Sequence, residues 1–332
     1  MSRKCMGCGS VFQSEDSKKQ GYVRQEKLND AVYCERCFRL KHYHERKLES
    51  LSISNEDILK CAERYSCPIY YFIDLLNLSE ESIRLFRRIS GVKFLVLTKI
   101  DYIPKSISIS NIMSRIRLIY DIHEEIIPVS IHRDGTMNHF WNHISSHSFS
   151  QVVFLGMTNV GKSSLLNQLS FLKSNVESPI LVSEMPNTTR EFISWKIQDI
   201  TIYDAPGFSY EHAYDGDLQF SSAFKKWMHP ITHSLKKDAR LYFHSSFTLQ
   251  QDCVQNYVTF YGSNEYVMEK LYRDIPEFTY EETICFNDFQ DLVFPGVGFF
   301  QFRSGANVTI RSAKKIFFEV RRSLLGGKND TN

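Results

Sequence analysis

A doubly wound, mostly parallel α/β sheet is the fold predicted for the middle of this 332-residue chain, with a cysteine-paired module before it and a mainly-β domain after it. Three observations predict it. Short apolar runs alternate with stretches of helical spacing from Pro68 to Tyr203. A glycine-rich turn of the form Gly-x4-Gly-Lys-Ser, Gly156 to Ser163, joins one such run to one such stretch. After Gly207 aromatic and β-branched runs take over. The expected domains are 1–48, 49–210 and 211–332.

Each element has its own reason. Residues 1–48 are basic and weakly apolar and cannot build a large core, and 49–65 read as a linker and a short helix. Ile69 to Asp74 is an apolar strand. Ser79 to Ile89 is a helix with Ile83, Leu85, Phe86 and Ile89 on one face. Val92 to Leu97 is a second strand, ending at Thr98, and Ile109 to Ile119 is helical. Ile126 to Ser130 is a third strand, followed by an amphipathic helix from Asp134 to His147. Val152 to Leu155 enters the glycine-rich turn, and Lys162 to Leu169 continues as a helix. Phe192 to Ile197 and Ile200 to Tyr203 form a strand pair, and Phe208 to His229 is polar, part loop and part helix. Leu241 to Phe243, Tyr257 to Tyr261, Val297 to Phe302 and Val308 to Ile310 suit antiparallel strands, in an order the sequence leaves open.

Composition is that of a globular protein, with 42% hydrophobic and 23% charged residues. No apolar stretch is long enough to span a membrane, and Met1 to Cys5 lacks an apolar leader, so a cytoplasmic address without membrane contact is expected. A net charge of +2 does not by itself argue for nucleic acid. Of eight cysteines, Cys61, Cys67, Cys253 and Cys285 are scattered and read as ordinary buried thiols.

The glycine-rich turn has the chemistry of a phosphate cradle. Gly156, Asn159, Val160 and Gly161 turn backbone N–H groups inward, and the helix opening at Lys162, Ser163 and Ser164 adds its positive end. Lys162 would reach the β and γ phosphates, and Ser163 would offer its hydroxyl to Mg²⁺. About 40 residues on, Asp204 to Gly207 follows a strand. Asp204 would hold Mg²⁺ through water, and the Gly207 N–H would meet the γ-phosphate. Between them, Thr189, or Thr188 nearly as well, would complete the metal shell.

Base choice is expected from Thr98-Lys99-Ile100-Asp101, which precedes the cradle. A carboxylate at Asp101 can accept two hydrogen bonds from guanine, which adenine cannot supply, and the Lys99 stem can lie along the base. Ser130 and Ile131 would present backbone to guanine O6. The parts thus occur in the order base, base, phosphate, switch, switch, as in a circularly permuted nucleotide domain, a rearrangement that costs little where natural termini lie close together. Phe208 follows Gly207 and cannot align an attacking water, so hydrolysis would draw on a partner or a cation. Asn159 is compatible with a K⁺ site and equally with simple loop stabilisation.

Cys5, Cys8, Cys34 and Cys37 form two Cys-x-x-Cys pairs that can close a tetrahedral, structural Zn²⁺ site, a redox dithiol being the competing reading. Arg24, Arg36, Arg39, Lys41, Tyr22 and Tyr43 around them suit RNA, or a solvated surface. Arg311, Lys314, Lys315, Arg321 and Arg322 repeat the theme near the C-terminus, again as a phosphate-tracking patch or as a solvent face.

The wording Cys5-Met6-Gly7-Cys8-Gly9, Cys34-Glu35-Arg36-Cys37-Phe38-Arg39-Leu40, Thr158 to Ser163 and Asp291-Leu292-Val293-Phe294-Pro295-Gly296-Val297-Gly298 resembles the YqeH-type circularly permuted GTPases over nearly the whole chain. The resemblance implies GTP hydrolysis coupled to assembly of the small ribosomal subunit, with rRNA or a pre-ribosome as partner. Thr98 stands where that family has Asn, and Asn187 where it has Gly before the threonine pair. The first departure is expected to loosen the base-reading loop. The alternative is an RNA-binding module that holds a nucleotide without hydrolysing it.

Overall fold

The structure is a computed structural model that describes residues 11–16, 21–28, 30–35, 54–103, 107–174, 192–210, 230–263 and 266–326. Six strands, β1 (Ile69–Asp74), β2 (Lys93–Thr98), β3 (Ile126–Pro128), β4 (Gln151–Gly156), β5 (Ile193–Ile197) and β6 (Ile200–Asp204), form one sheet in the order β3-β2-β1-β4-β6-β5. All neighbours are parallel except β5 and β6. Every residue of β1 is buried, which is why that strand shows no apolar alternation.

The helices are α1 (Asn55–Glu63), α2 (Glu80–Arg88), α3 (Ile109–Tyr120), α4 (Asp134–Ser146) and α5 (Lys162–Ser174). Ser79 and Ser82 close a reciprocal capping box at the start of α2. Glu80 and Glu81 in its first turn and Arg87 and Arg88 in its last complement the helix dipole. α4 leads through a short connection into β4.

The C-terminal region is a β sandwich. Its strands are β7 (Ile231–Lys236), β8 (Arg240–Phe243), β9 (Phe247–Gln251), β10 (Gln255–Gly262), β11 (Met268–Leu271), β12 (Tyr280–Phe286), β13 (Gln290–Phe294), β14 (Gly298–Phe302), β15 (Ala306–Ser312) and β16 (Glu319–Arg322). They form two antiparallel five-stranded sheets, β16-β13-β14-β10-β7 and β11-β8-β9-β15-β12. Rings from the two sheets meet in the middle: Phe247 stacks on Phe294 at 4.6 Å, Phe243 meets Phe260 at 5.2 Å, and Phe286 meets Phe302 at 4.7 Å.

In the first of these sheets the central strands β13 and β14 are buried on both faces. The far side of that sheet carries Tyr261, Val293 and Phe299, which pack with Leu76 of the nucleotide-domain side. The buried Arg321 pairs with Asp291 at 3.2 Å and donates to the Leu78 carbonyl. The Glu319 carboxylate accepts from the N–H groups of Glu80 and Glu81, an anion at the positive end of α2. Leu324 joins the core of the α/β domain itself. This double burial explains why Val297 to Phe302 reads as a continuous apolar run.

Two expectations are corrected here. Arg311 is paired with Asp274 and Glu281, and Arg321 is enclosed, so neither is available to an open phosphate-tracking patch. The scattered cysteines are not buried thiols: Cys285 is exposed on the edge strand β12, and Cys61, Cys67 and Cys253 are half-buried.

Candidate nucleotide site

The predicted phosphate and base segments meet at the C-terminal rim of the parallel sheet, the usual ligand rim of open α/β folds. Gly156 ends β4 at φ 153°, and a Cβ there would lie 2.3 Å from the Phe72 carbonyl oxygen, so no side chain fits where β4 passes β1. Asn159 (φ 62°) and Gly161 (φ 91°) then take left-handed backbone that turns the loop. Asn tolerates that conformation, which gives Asn159 a structural reason independent of any cation. Lys162 opens α5 with Ser163 and the exposed Ser164 behind it. Its ammonium lies 3.7 Å from the Asp204 carboxylate, both side chains almost wholly enclosed.

Gly207 presses on the loop. A Cβ there would come within 2.9 Å of Thr158 Cα, which excludes any larger residue in this arrangement. The Phe208 N–H donates to the Gly156 carbonyl at 2.9 Å, and its carbonyl accepts from the Thr158 N–H at 2.8 Å. The Phe208 ring is fully buried near Tyr71, so it cannot orient water, as its chemistry implied.

At the base end, Thr98 Oγ1 lies 2.8 Å from the Val160 carbonyl oxygen, its donor contact, and 3.2 Å from that of Ile73. One hydroxyl therefore ties the end of β2 to the phosphate loop. Against the expected loosening, the threonine supplies a cross-link of its own. Asp101 sits in a short 3-10 turn, Ile100–Tyr102, is 7% exposed, and its Oδ2 has no hydrogen-bond partner among the described residues. An enclosed carboxylate oxygen without a donor fits the N1–H and exocyclic amine of guanine. Val129 N–H donates to the Leu97 carbonyl at 2.9 Å and holds the next turn alongside β2. In that turn the Ser130 N–H donates to Thr136 Oγ1 at 3.0 Å, and Ile131 is half-buried beside the core.

Sequence reasoning missed Asp74. Its Oδ2 lies 2.5 Å from Lys99 Nζ and accepts from Asn77 at 2.7 Å, while Oδ1 accepts from the Leu76 N–H at 2.8 Å. The available signal was an acid closing an apolar strand at the same rim as Thr98. Thr188, Thr189, Cys5, Cys8 and Cys37 lie outside the described residues. Cys34 is described and fully buried in a small cluster with Val23.

A family model described as 50S ribosome-binding GTPase matches residues 151–258, a span that begins at β4 and leaves out Thr98 to Asp101. The uncharacterized protein YqeH of Bacillus subtilis (strain 168) is 29% identical over 262 residues, 72% of this chain and 69% of that protein. The small ribosomal subunit biogenesis GTPase RsgA of Leuconostoc citreum (strain KM20) is 44% identical over 66 residues, 19% of this chain and 22% of that one. The chain is thus a relative of YqeH, and its nucleotide domain is a P-loop GTPase domain.

Proposed function

We propose that this protein is a circularly permuted GTPase that hydrolyses GTP during assembly of the small ribosomal subunit and contacts rRNA through its flanking domains. The observation that carries the reading is the enclosed, donor-seeking Asp101 carboxylate linked through Thr98 to the phosphate loop that leads to Lys162. In this reading Asp101 selects guanine, Ser130 and Ile131 border the base, and the loop from Gly156 to Ser164 wraps the phosphates. Lys162 neutralises charge that grows on the phosphates as the bond breaks. Ser163, Asp204 and Thr189 would hold Mg²⁺, which supplies further neutralisation of the phosphate oxygens. Cys5, Cys8, Cys34 and Cys37 would hold a structural Zn²⁺. The ribosomal assignment is supported by the name of RsgA and by the likeness to YqeH. Among the described residues no helix is long and apolar enough to cross a membrane, in keeping with action in the cytoplasm.

Two measurements test this. Asp101→Asn should exchange preference for guanosine nucleotides for preference for xanthosine nucleotides, because an amide can donate where xanthine carries a carbonyl; unchanged GDP binding would remove the base assignment. GTP turnover should rise with added small subunits, and more in K⁺ than in Na⁺; no response to either would remove the assembly role. The buried Phe208 favours a second reading, a module that holds nucleotide without hydrolysis. Lys162→Ala with unchanged RNA affinity and cellular role would select it.

A further inference from the structure

The β sandwich follows the second switch in the chain and docks on the half of the sheet formed by β1 and β2, through Leu76, Leu78 and the start of α2. Two short routes lead from the base-reading residues into that docking surface. Tyr102, next after Asp101, packs on the cluster of Leu76, Tyr261, Val293 and Phe299. Lys99 reaches the same cluster through Asp74. Its ammonium sits on Asp74 Oδ2, the carboxylate holds the turn Leu75–Asn77 through the Leu76 N–H and the Asn77 amide, and the Leu76 side chain is wholly enclosed in the cluster.

We infer that Asp74 is a positioning residue that couples guanine binding to the seating of the β sandwich. The inference rests on Asp101 and Lys99 reading guanine. Lys99 adopts left-handed backbone (φ 57°) beside the enclosed Asp74, which is only 2% exposed. The arrangement therefore fixes both the lysine stem that borders the base and the turn that carries Leu76. A base that orders Lys99 and Asp101 orders this turn and Tyr102 with them. Coupling of two binding events is reciprocal, so a partner that shifts the sandwich from its seat weakens guanine binding, and guanine resists that shift. The device acts on the base, so it distinguishes an occupied from an empty site rather than GTP from GDP.

The test uses the intact chain with two probes, GDP and inorganic pyrophosphate, the latter filling the phosphate cradle without a base. Affinities are measured for the unaltered protein, Asp74→Asn and Leu76→Ala, with melting curves for each and amide hydrogen exchange over residues 289–302. Losing a charge-assisted contact is expected to lower GDP affinity about tenfold or more in Asp74→Asn while pyrophosphate affinity stays unchanged. GDP, but not pyrophosphate, should slow exchange in β13 and β14. In Leu76→Ala that slowing should vanish even at saturating GDP. Equal loss for both probes, or no slowing by GDP in the unaltered protein, overturns the inference while guanine binding stands. If Asp74→Asn does not fold, retained slowing in Leu76→Ala overturns it alone. Pyrophosphate binding without GDP binding overturns the guanine reading, and the coupling with it.

Discussion

The two halves of the nucleotide sheet are held by different means. The half formed by β1, β2 and β3 carries the turns proposed to read the base and is covered by the sandwich through packed side chains, the enclosed Arg321, which donates to the Leu78 carbonyl, and the Glu319 cap on α2. The half formed by β4, β6 and β5 carries the phosphate loop, and there the Asp204–Phe208 segment meets the loop through two backbone hydrogen bonds of Phe208, one donated and one accepted, while the Phe208 ring is fully buried and Ser209 is held by Asn55. Each such bond is worth about 0.5–1.5 kcal/mol net, which a phosphate group can compete for, whereas a packed core cannot be exchanged so cheaply. In the proposed reading, choice of base falls to the half clasped by the sandwich, and response to the number of phosphates to the two exchangeable bonds at the loop.

The largest expected effect probes the phosphate half. Lys162→Ala should lower GTP turnover by about 10²–10³-fold, by loss of preorganised charge, while the melting curve moves little. A small loss of turnover would place the charge stabilisation elsewhere. Next is the clasp of the other half. Arg321→Met leaves Asp291 enclosed without its cation and should destabilise the protein by about 3–5 kcal/mol in chemical denaturation. A near-neutral result would show that the two halves are not held differently after all. Between them stands Thr98→Ala, which removes the link to Val160 and should weaken GDP binding about fivefold, for about 1 kcal/mol; Thr98→Asn should restore most of it.

The smallest effect lies far from the nucleotide rim. His143 sits between the Tyr70 hydroxyl at 3.0 Å and Glu125 at 3.2 Å, and burial holds its pKa below the ordinary 6.5. The folded chain therefore takes up this proton less readily than the unfolded one. Stability present above pH 6.5 should fall as the pH drops through the lowered value, by about 1 kcal/mol or less, and His143→Gln should abolish that slope in denaturation curves. Nucleotide affinity should not follow it.

Legibility in the sequence followed burial. β1 and β4 stood out because both faces are covered, leaving uninterrupted apolar runs. β7, β11 and β12 did not, because edge strands show water much of their length: Glu281, Glu282 and Thr283 are exposed. β16 read as a basic tail because nothing local reveals that Arg321 is enclosed by groups from Leu78, Tyr120 and Asp291. Asp101 could be singled out from its motif, but the contact made by Thr98 could not. Its value depends on a carbonyl 62 residues away, and sequence spacing carries no such distance. Asp74 escaped notice for the same reason, its lysine lying 25 residues on.

The clasp at β16 also sets a schedule for biosynthesis. Arg321 and Leu78 are 243 residues apart, so β1 and β2 emerge from the ribosome well before the strand that clasps them. Contacts of such long range form late and slowly. Until then Leu76 and Tyr120 face solvent on the nascent polypeptide, and any copy interrupted before Glu319 keeps a sticky, unshielded flank that chaperones and proteases can seize.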